Sequence, residues 1–124
     1  MTTSLVLMTA AALALQVSGD FDRDGLADRA HLREAGGRHE LVVERGAGGT
    51  AVVQAVDPLY FYLGVLEPGS YATACGKGIG DADAPCPELS VTLESPTLEF
   101  GKEEASQAVA IWDGQRFRVV WLSD

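Results

Sequence analysis

The sequence predicts an all-β protein, a small antiparallel sandwich or barrel of about seven short strands. Two observations support this fold class. Apolar and polar residues alternate in short runs, which is the period of a half-buried strand, and glycine- and proline-containing breaks separate these runs. Residues 15–124 show no convincing helical pattern. The length of 124 residues favours one domain.

The first predicted hairpin covers residues 26–45. Leu26, Ala30 and Leu32 fall on one face of its first strand, and the Gly36-Gly37 turn leads to a returning strand at residues 40–44. Further strands are expected at residues 50–56, 59–63, 89–94 and 98–101.

The second predicted hairpin is centred on Asp113-Gly114, a turn sequence that joins strands at residues 108–112 and 115–122. In its second strand, the side chains expected to face the core are Phe117, Val119 and Trp121, and those expected to face solvent are Arg116 and Arg118.

The net charge of −9 argues against nucleic acid as a partner, because affinity for phosphates comes from Lys and Arg. It also argues against anionic membrane surfaces. Such acidity favours solubility and cation binding.

Residues 1–14 are predicted to be a signal peptide, cut after Ala14 in a small-x-small pattern formed with Ala12. The apolar run is too short to span a bilayer, so we expect no membrane insertion after cleavage. Residues 15–124 would be one periplasmic or secreted β domain, expected to be a monomer. A buried first helix or strand of a cytosolic protein is the alternative.

Cys75 and Cys86 are expected to form a disulfide, because an even cysteine count in an exported chain indicates bridging. The bridge would close a glycine-rich segment, residues 75–86, that has little apolar content of its own. Neither His31 nor His39 stands at zinc-finger spacing from these cysteines.

The chemically most specific segment is the acidic loop, residues 20–28, which reads Asp-Phe-Asp-Arg-Asp-Gly-Leu-Ala-Asp. Bare carboxylates this close repel one another, and a hard cation such as Ca²⁺ relieves the repulsion. The predicted ligands are Asp20, Asp22, Asp24, the backbone carbonyl of Leu26, and Asp28. A helix-loop-helix site is excluded, because its twelfth position needs a bidentate Glu and here holds His31.

The stretch Gly19–Asp28 resembles the calcium loop of FG-GAP and VCBS-type repeats, whose pattern is Gly-Asp-Phe-Asn-Gly-Asp-Gly-x-x-Asp. The resemblance implies Ca²⁺ bound in a β-hairpin context by the five residues named above. A propeller is excluded, because it needs several blades and the motif occurs once. The whole layout also resembles small bacterial exported proteins with one such loop, a likeness that implies no activity.

A cation-free Asx turn is the alternative for the acidic loop, because Asp side chains also accept backbone amides in tight turns. Three other features have a structural and a functional interpretation. His31 and His39 could meet across the first hairpin, although solvent-facing histidines are favoured. Tyr60 and Tyr62 could form an exposed aromatic pair, and Glu103-Glu104 could act as paired carboxylates, although a solvated loop is favoured.

Three functions remain open. The favoured one is a Ca²⁺-stabilised binding module, not an enzyme, whose partner is a protein or glycan of the cell envelope. The second is an inhibitor or immunity-type protein that blocks an exported hydrolase, since an acidic surface would be steered to a basic cleft. The third, a hydrolase that uses the loop's metal, is disfavoured because no general base can be named.

Overall fold

The computed structural model of the protein describes residues 15–81 and 83–123, and within them it is all-β with antiparallel pairing. The predicted signal peptide, residues 1–14, lies outside the described residues. The described part contains ten strands rather than about seven, together with one 3-10 turn at Cys75–Lys77. The strands are β1 (Gln16–Gly19), β2 (Asp28–Ala35), β3 (Arg38–Glu44), β4 (Thr50–Val56), β5 (Phe61–Leu66), β6 (Gly69–Ala72), β7 (Ser90–Leu93), β8 (Thr97–Lys102), β9 (Gln107–Trp112) and β10 (Phe117–Ser123).

Two four-stranded sheets form the body of the molecule, in the orders β1-β2-β3-β4 and β10-β9-β8-β5. They face each other across one apolar core, whose fully buried members include Leu41 and Val43 from the first sheet and Leu98 and Phe100 from the second. The edge strands also come together, with β1 beside β5 and β4 beside β10. The architecture is therefore a sandwich whose two seams are nearly closed.

A third, two-stranded sheet of β6 and β7 covers the outer face of the second sheet. Its Val91 and Leu93 pack with Val109, Val120 and Leu122 in a second buried cluster. The strand β10 is therefore buried on both faces, whereas the sequence predicted a core face on one side and solvent on the other.

Predicted details of β10 are confirmed in part. Phe117 is buried and Arg118 is exposed, as expected, but Trp121 is 41% exposed at the rim of the core. The turn before β10 is the predicted one: the Asp113 carboxylate accepts the amides of Gln115 and Arg116.

The first hairpin, β2 and β3, is confirmed with a shifted start. The strand β2 begins at Asp28, and Leu26 lies in the preceding loop with its side chain 49% exposed. Leu26 is therefore not part of the apolar face to which the alternation assigned it. Ala30 is fully buried, as predicted.

The predicted disulfide between Cys75 and Cys86 is present, with Cα atoms 5.6 Å apart. The described residues of the segment it closes are mostly exposed. The base of the segment is fixed to the body, because the Ala74 amide donates to the Trp121 carbonyl at 2.8 Å and the Thr73 hydroxyl donates to the Glu88 carbonyl at 2.8 Å. Among residues 15–81 and 83–123 no helix is long and apolar enough to cross a membrane.

Candidate metal centre in the acidic loop

The acidic loop connects β1 to β2, which pair antiparallel up to Gly19 opposite Asp28. Phe21 anchors the loop, because its ring is buried in the main core. The ring lies directly over Gly19, where an added Cβ would come within 2.9 Å of it. This contact explains why glycine precedes the first aspartate of the loop.

Asp28 closes the loop and is only 2% exposed. Its Oδ2 accepts the amides of Phe21 and Asp22 at 2.8 and 3.1 Å, and its Oδ1 accepts the amide of Gly46 at 2.8 Å. One carboxylate therefore joins the start of the acidic loop to the turn between β3 and β4. The approach of that turn is close, since a Cβ on Gly46 would collide with the Ala27 carbonyl oxygen.

Asp22 is buried and forms an ion pair with Arg45, whose Nε lies 2.8 Å from Oδ2. The guanidinium carbon of Arg45 also lies 4.5 Å from the centroid of the Trp112 ring, within cation–π distance. This arrangement links the acidic loop to both sheets, because Arg45 follows β3 and Trp112 ends β9.

Asp20 and Asp24 organise the exposed tip of the loop. The two oxygens of Asp20 accept the amides of Asp24 and Gly25 at 3.1 and 2.9 Å, and Asp24 Oδ1 accepts the Leu26 amide at 2.9 Å. Gly25 has a φ of 88°, in the left-handed region that glycine adopts without strain. The loop is therefore wound by its own carboxylates, as the Asx-turn alternative expects.

The winding brings three of the predicted ligands together. One carboxylate oxygen from each of Asp20, Asp22 and Asp28 lies within 4.8 Å of the others. The group does not include Asp24, and Leu26 was predicted to contribute only its carbonyl oxygen. Among the described residues, Arg45 alone forms an ion pair with a carboxylate of this loop, since Arg23 pairs with Glu94. The four aspartates of the loop are thus balanced by one positively charged side chain, that of Arg45.

The charges of the loop perturb two carboxyl groups in opposite directions. Burial raises the pKa of Asp22, but the hydrogen bonds with Arg45 and Asp24 outweigh it, and the net pKa is lowered. The Leu26 amide lowers the pKa of Asp24, but desolvation and the Asp22 and Asp28 carboxylates outweigh it and raise the net pKa. The pKa of Asp24 is therefore raised both by desolvation and by its two carboxylate neighbours.

Other candidate residues from the sequence are not brought together as a site. His31 lies opposite Val42 and His39 opposite Glu34, so the two histidines do not pair across the hairpin. Each has a glutamate nearby instead, with His31 Nε2 3.8 Å from Glu44 and His39 Nε2 3.9 Å from Glu34. Tyr60 is exposed and Tyr62 half-buried, and both line one open depression together with Glu103 and Glu104.

Sequence reasoning missed two residues of the acidic loop's surroundings, Arg45 and Gly46. Both lie in the turn after β3, and their contacts to Asp22 and Asp28 span 23 and 18 positions. The only sequence signal was a single basic residue just before a glycine-rich turn, which also fits an ordinary solvated turn.

Comparisons with known proteins give no match: no protein-family model, curated protein or solved structure matches this chain.

Proposed function

We propose that this chain is a small exported β module that binds Ca²⁺ in its acidic loop and acts by binding a protein or glycan of the cell envelope, without catalysis. The observation that carries the metal assignment is the convergence of Asp20, Asp22 and Asp28 to within 4.8 Å. Like charges at this spacing destabilise the loop, and a divalent cation between them removes the repulsion.

The donor set fits a hard cation. All three converging groups are carboxylates, which suit Ca²⁺, and they come from both ends of the loop. Their hydrogen bonds to backbone amides are compatible with a bound ion, because each of the three carboxylates keeps an oxygen that accepts only one amide and so has a second lone pair free; in Asp28 this oxygen is Oδ1, since Oδ2 already accepts two amides. The loop also lies between two antiparallel strands, the setting implied by the resemblance to FG-GAP and VCBS-type calcium loops. Participation of Asp24 and of the Leu26 carbonyl is part of the same proposal.

The expected role of the ion is structural. It would hold the exposed Asp20 against the buried Asp22 and Asp28, and these two residues already connect the loop to the turn after β3. The loop, β1 and the Gly46 turn would then be held as one rigid edge of the first sheet. Export is supported by the disulfide, which persists in oxidising compartments.

The test is calorimetric titration of CaCl₂ into chelator-treated protein, with thermal melting in CaCl₂ and in EDTA. Asp20→Asn is the informative variant, because Asp20 is exposed and its loss disturbs the core least. We expect the affinity of Asp20→Asn for Ca²⁺ to fall by about tenfold or more, since one anionic ligand is lost.

Asp83→Asn is the matched control, because it removes the same charge from the exposed disulfide segment. Ca²⁺ binding and the rise in melting temperature should be unchanged in it. An equal loss of Ca²⁺ affinity in both variants would show that Ca²⁺ is attracted diffusely to an acidic protein. If titration of Ca²⁺ into the wild type released no heat, the loop would be a cation-free turn.

The second candidate, an inhibitor of an exported hydrolase, is supported by the exposed segment that the disulfide closes and that hydrogen bonds anchor at Thr73 and Ala74. An exposed loop that is closed by a covalent bridge can enter an active-site cleft at a lower entropic cost than a free loop. Inhibition of purified envelope hydrolases that disappears when the disulfide is reduced would favour this function.

A further inference from the structure

An apolar cleft of about 480 Å³ opens at the seam between β4 and β10, away from the acidic loop's aspartates. Most of its lining is apolar, and a few polar side chains lie among the apolar ones. This size and lining are typical of binding clefts. Its aromatic lining comes from Phe61, Phe100 and Trp121.

One wall of the cleft is the free edge of β4. Gln54, Ala55 and Val56 are consecutive strand residues, and all three line the cleft. Because successive side chains of a strand point to opposite faces, three in a row can border one cavity only where the edge of the strand faces it. In the described part of the chain β4 pairs with β3 alone. β10 approaches β4 along the seam without pairing with it, so the edge of β4 offers backbone donors and acceptors where the cleft opens.

The opposite wall is apolar, and backbone hydrogen bonds hold it in place. Trp121 and Ile79 form it, and they are 41% and 36% exposed. Ile79 is fixed because its amide donates to the Ala74 carbonyl, and the Ala74 amide in turn donates to the Trp121 carbonyl. Behind them Phe100 lies 5.9 Å from the Trp121 ring and forms the floor.

The two charged residues that line the cleft, Lys102 and Asp57, form an ion pair. Lys102 Nζ lies 3.0 Å from Asp57 Oδ2, so the ammonium and the carboxylate compensate each other. A charged group placed beside them would compete with this ion pair. The cleft therefore suits an uncharged, apolar group.

We propose that this cleft binds an extended peptide segment of a partner protein, which adds a strand to the free edge of β4 and places an apolar side chain between Trp121 and Phe61. Backbone hydrogen bonds to the edge would supply affinity, and the cleft would select the side chain. This inference rests on the proposed binding function and specifies its partner as a polypeptide rather than a glycan. It is independent of the proposed Ca²⁺ site.

The test uses a phage library of short random peptides, selected on the immobilised full chain, and a synthetic copy of an enriched sequence. We expect enriched sequences to alternate apolar and polar residues around one large apolar side chain. Trp121→Ala and, separately, Ile79→Ser should each weaken binding of the synthetic peptide by about tenfold or more.

The matched control is Leu89→Ala, which removes an exposed apolar side chain that does not line the cleft. Its affinity for the peptide should equal that of the wild type. Melting curves of all three variants show whether the fold is kept, and Ile79→Ser keeps the test valid if Trp121→Ala unfolds.

Strand addition makes a second, sharper prediction. N-methylation of alternate residues of the peptide should abolish binding for the set of amides that faces β4 and leave binding nearly unchanged for the other set. Equal effects of the two sets would overturn strand addition.

Peptides that bind the wild type and both cleft variants equally, or no enrichment over a blank surface, would overturn the proposal. The proposal would also be overturned if the protein bound glycans on an array through Trp121 and bound no peptide. The proposed general binding function would stand in that case. Measuring peptide binding in CaCl₂ and in EDTA separates the two proposals, because failure of the Ca²⁺ titration leaves this one intact.

Discussion

Replacing Asp28 by Asn tests whether one buried carboxylate holds the acidic loop to the rest of the first sheet. The side chain keeps its shape but can accept hydrogen bonds through one oxygen only. If that oxygen keeps the amides of Phe21 and Asp22, the new NH₂ group faces the Gly46 amide, and two donors oppose each other.

The expected loss of stability follows from these contacts. The Gly46–Asp28 hydrogen bond is part-buried, so leaving this amide without an acceptor costs about 1 kcal/mol, the low end of the range for a buried group. The two remaining hydrogen bonds are buried and lose the assistance of the negative charge. Relief of repulsion from Asp20 and Asp22 offsets part of this loss. We therefore expect Asp28→Asn to lower the free energy of unfolding by about 2–3 kcal/mol.

The assay is urea unfolding followed by tryptophan fluorescence, in EDTA so that metal binding does not contribute, and with the disulfide intact. Asp24→Asn is the control, since Asp24 is exposed and accepts one amide from Leu26. It should change the stability by no more than about 0.5 kcal/mol. Equal effects of the two substitutions, or no effect of Asp28→Asn, would refute the assignment of Asp28 as the residue that holds the two loops together.

Three further predictions address other parts of the structure. Arg45→Ala should raise the pKa of Asp22 and lower the free energy of unfolding by about 2 kcal/mol. In the wild type, the stability that the ionised Asp22 contributes is lost only as the pH falls below the ordinary pKa of 3.8. Acid unfolding of the variant should therefore begin at a higher pH than that of the wild type. Joint replacement of Cys75 and Cys86 by Ser should cost about 2–3 kcal/mol in urea unfolding, because the unfolded chain regains loop entropy. Burial and Glu99 raise the pKa of Tyr62 to about 12, so its favourable contribution to folding should be present below pH 10 and lost as the pH rises towards 12. Tyr62→Phe should remove a phenolate step near pH 12 from an absorbance titration.

Prediction from sequence worked best where a local rule decides the structure. Asp113-Gly114 sets the β9–β10 turn, because the Asp113 carboxylate caps amides two and three residues ahead of it. The acidic loop is similar, since contacts over two to five positions wind its tip. The strand β1 was missed because its four residues, Gln-Val-Ser-Gly, contain one apolar side chain and are too few to show a period, so that its pairing with β2 defines it.

The amino-acid sequence by itself determined the all-β class, the two hairpins, the pairing of Cys75 with Cys86 and the clustering of carboxylates. These follow from side-chain periodicity, turn chemistry and charge, which act between near neighbours. Only the tertiary structure decided that Arg45 and the Gly46 amide meet the acidic loop, and that β6 and β7 cover the second face of β10. It also decided that the edge of β4 faces Trp121 across an apolar cleft. These contacts join segments far apart in the chain, and their energies depend on how the sheets pack.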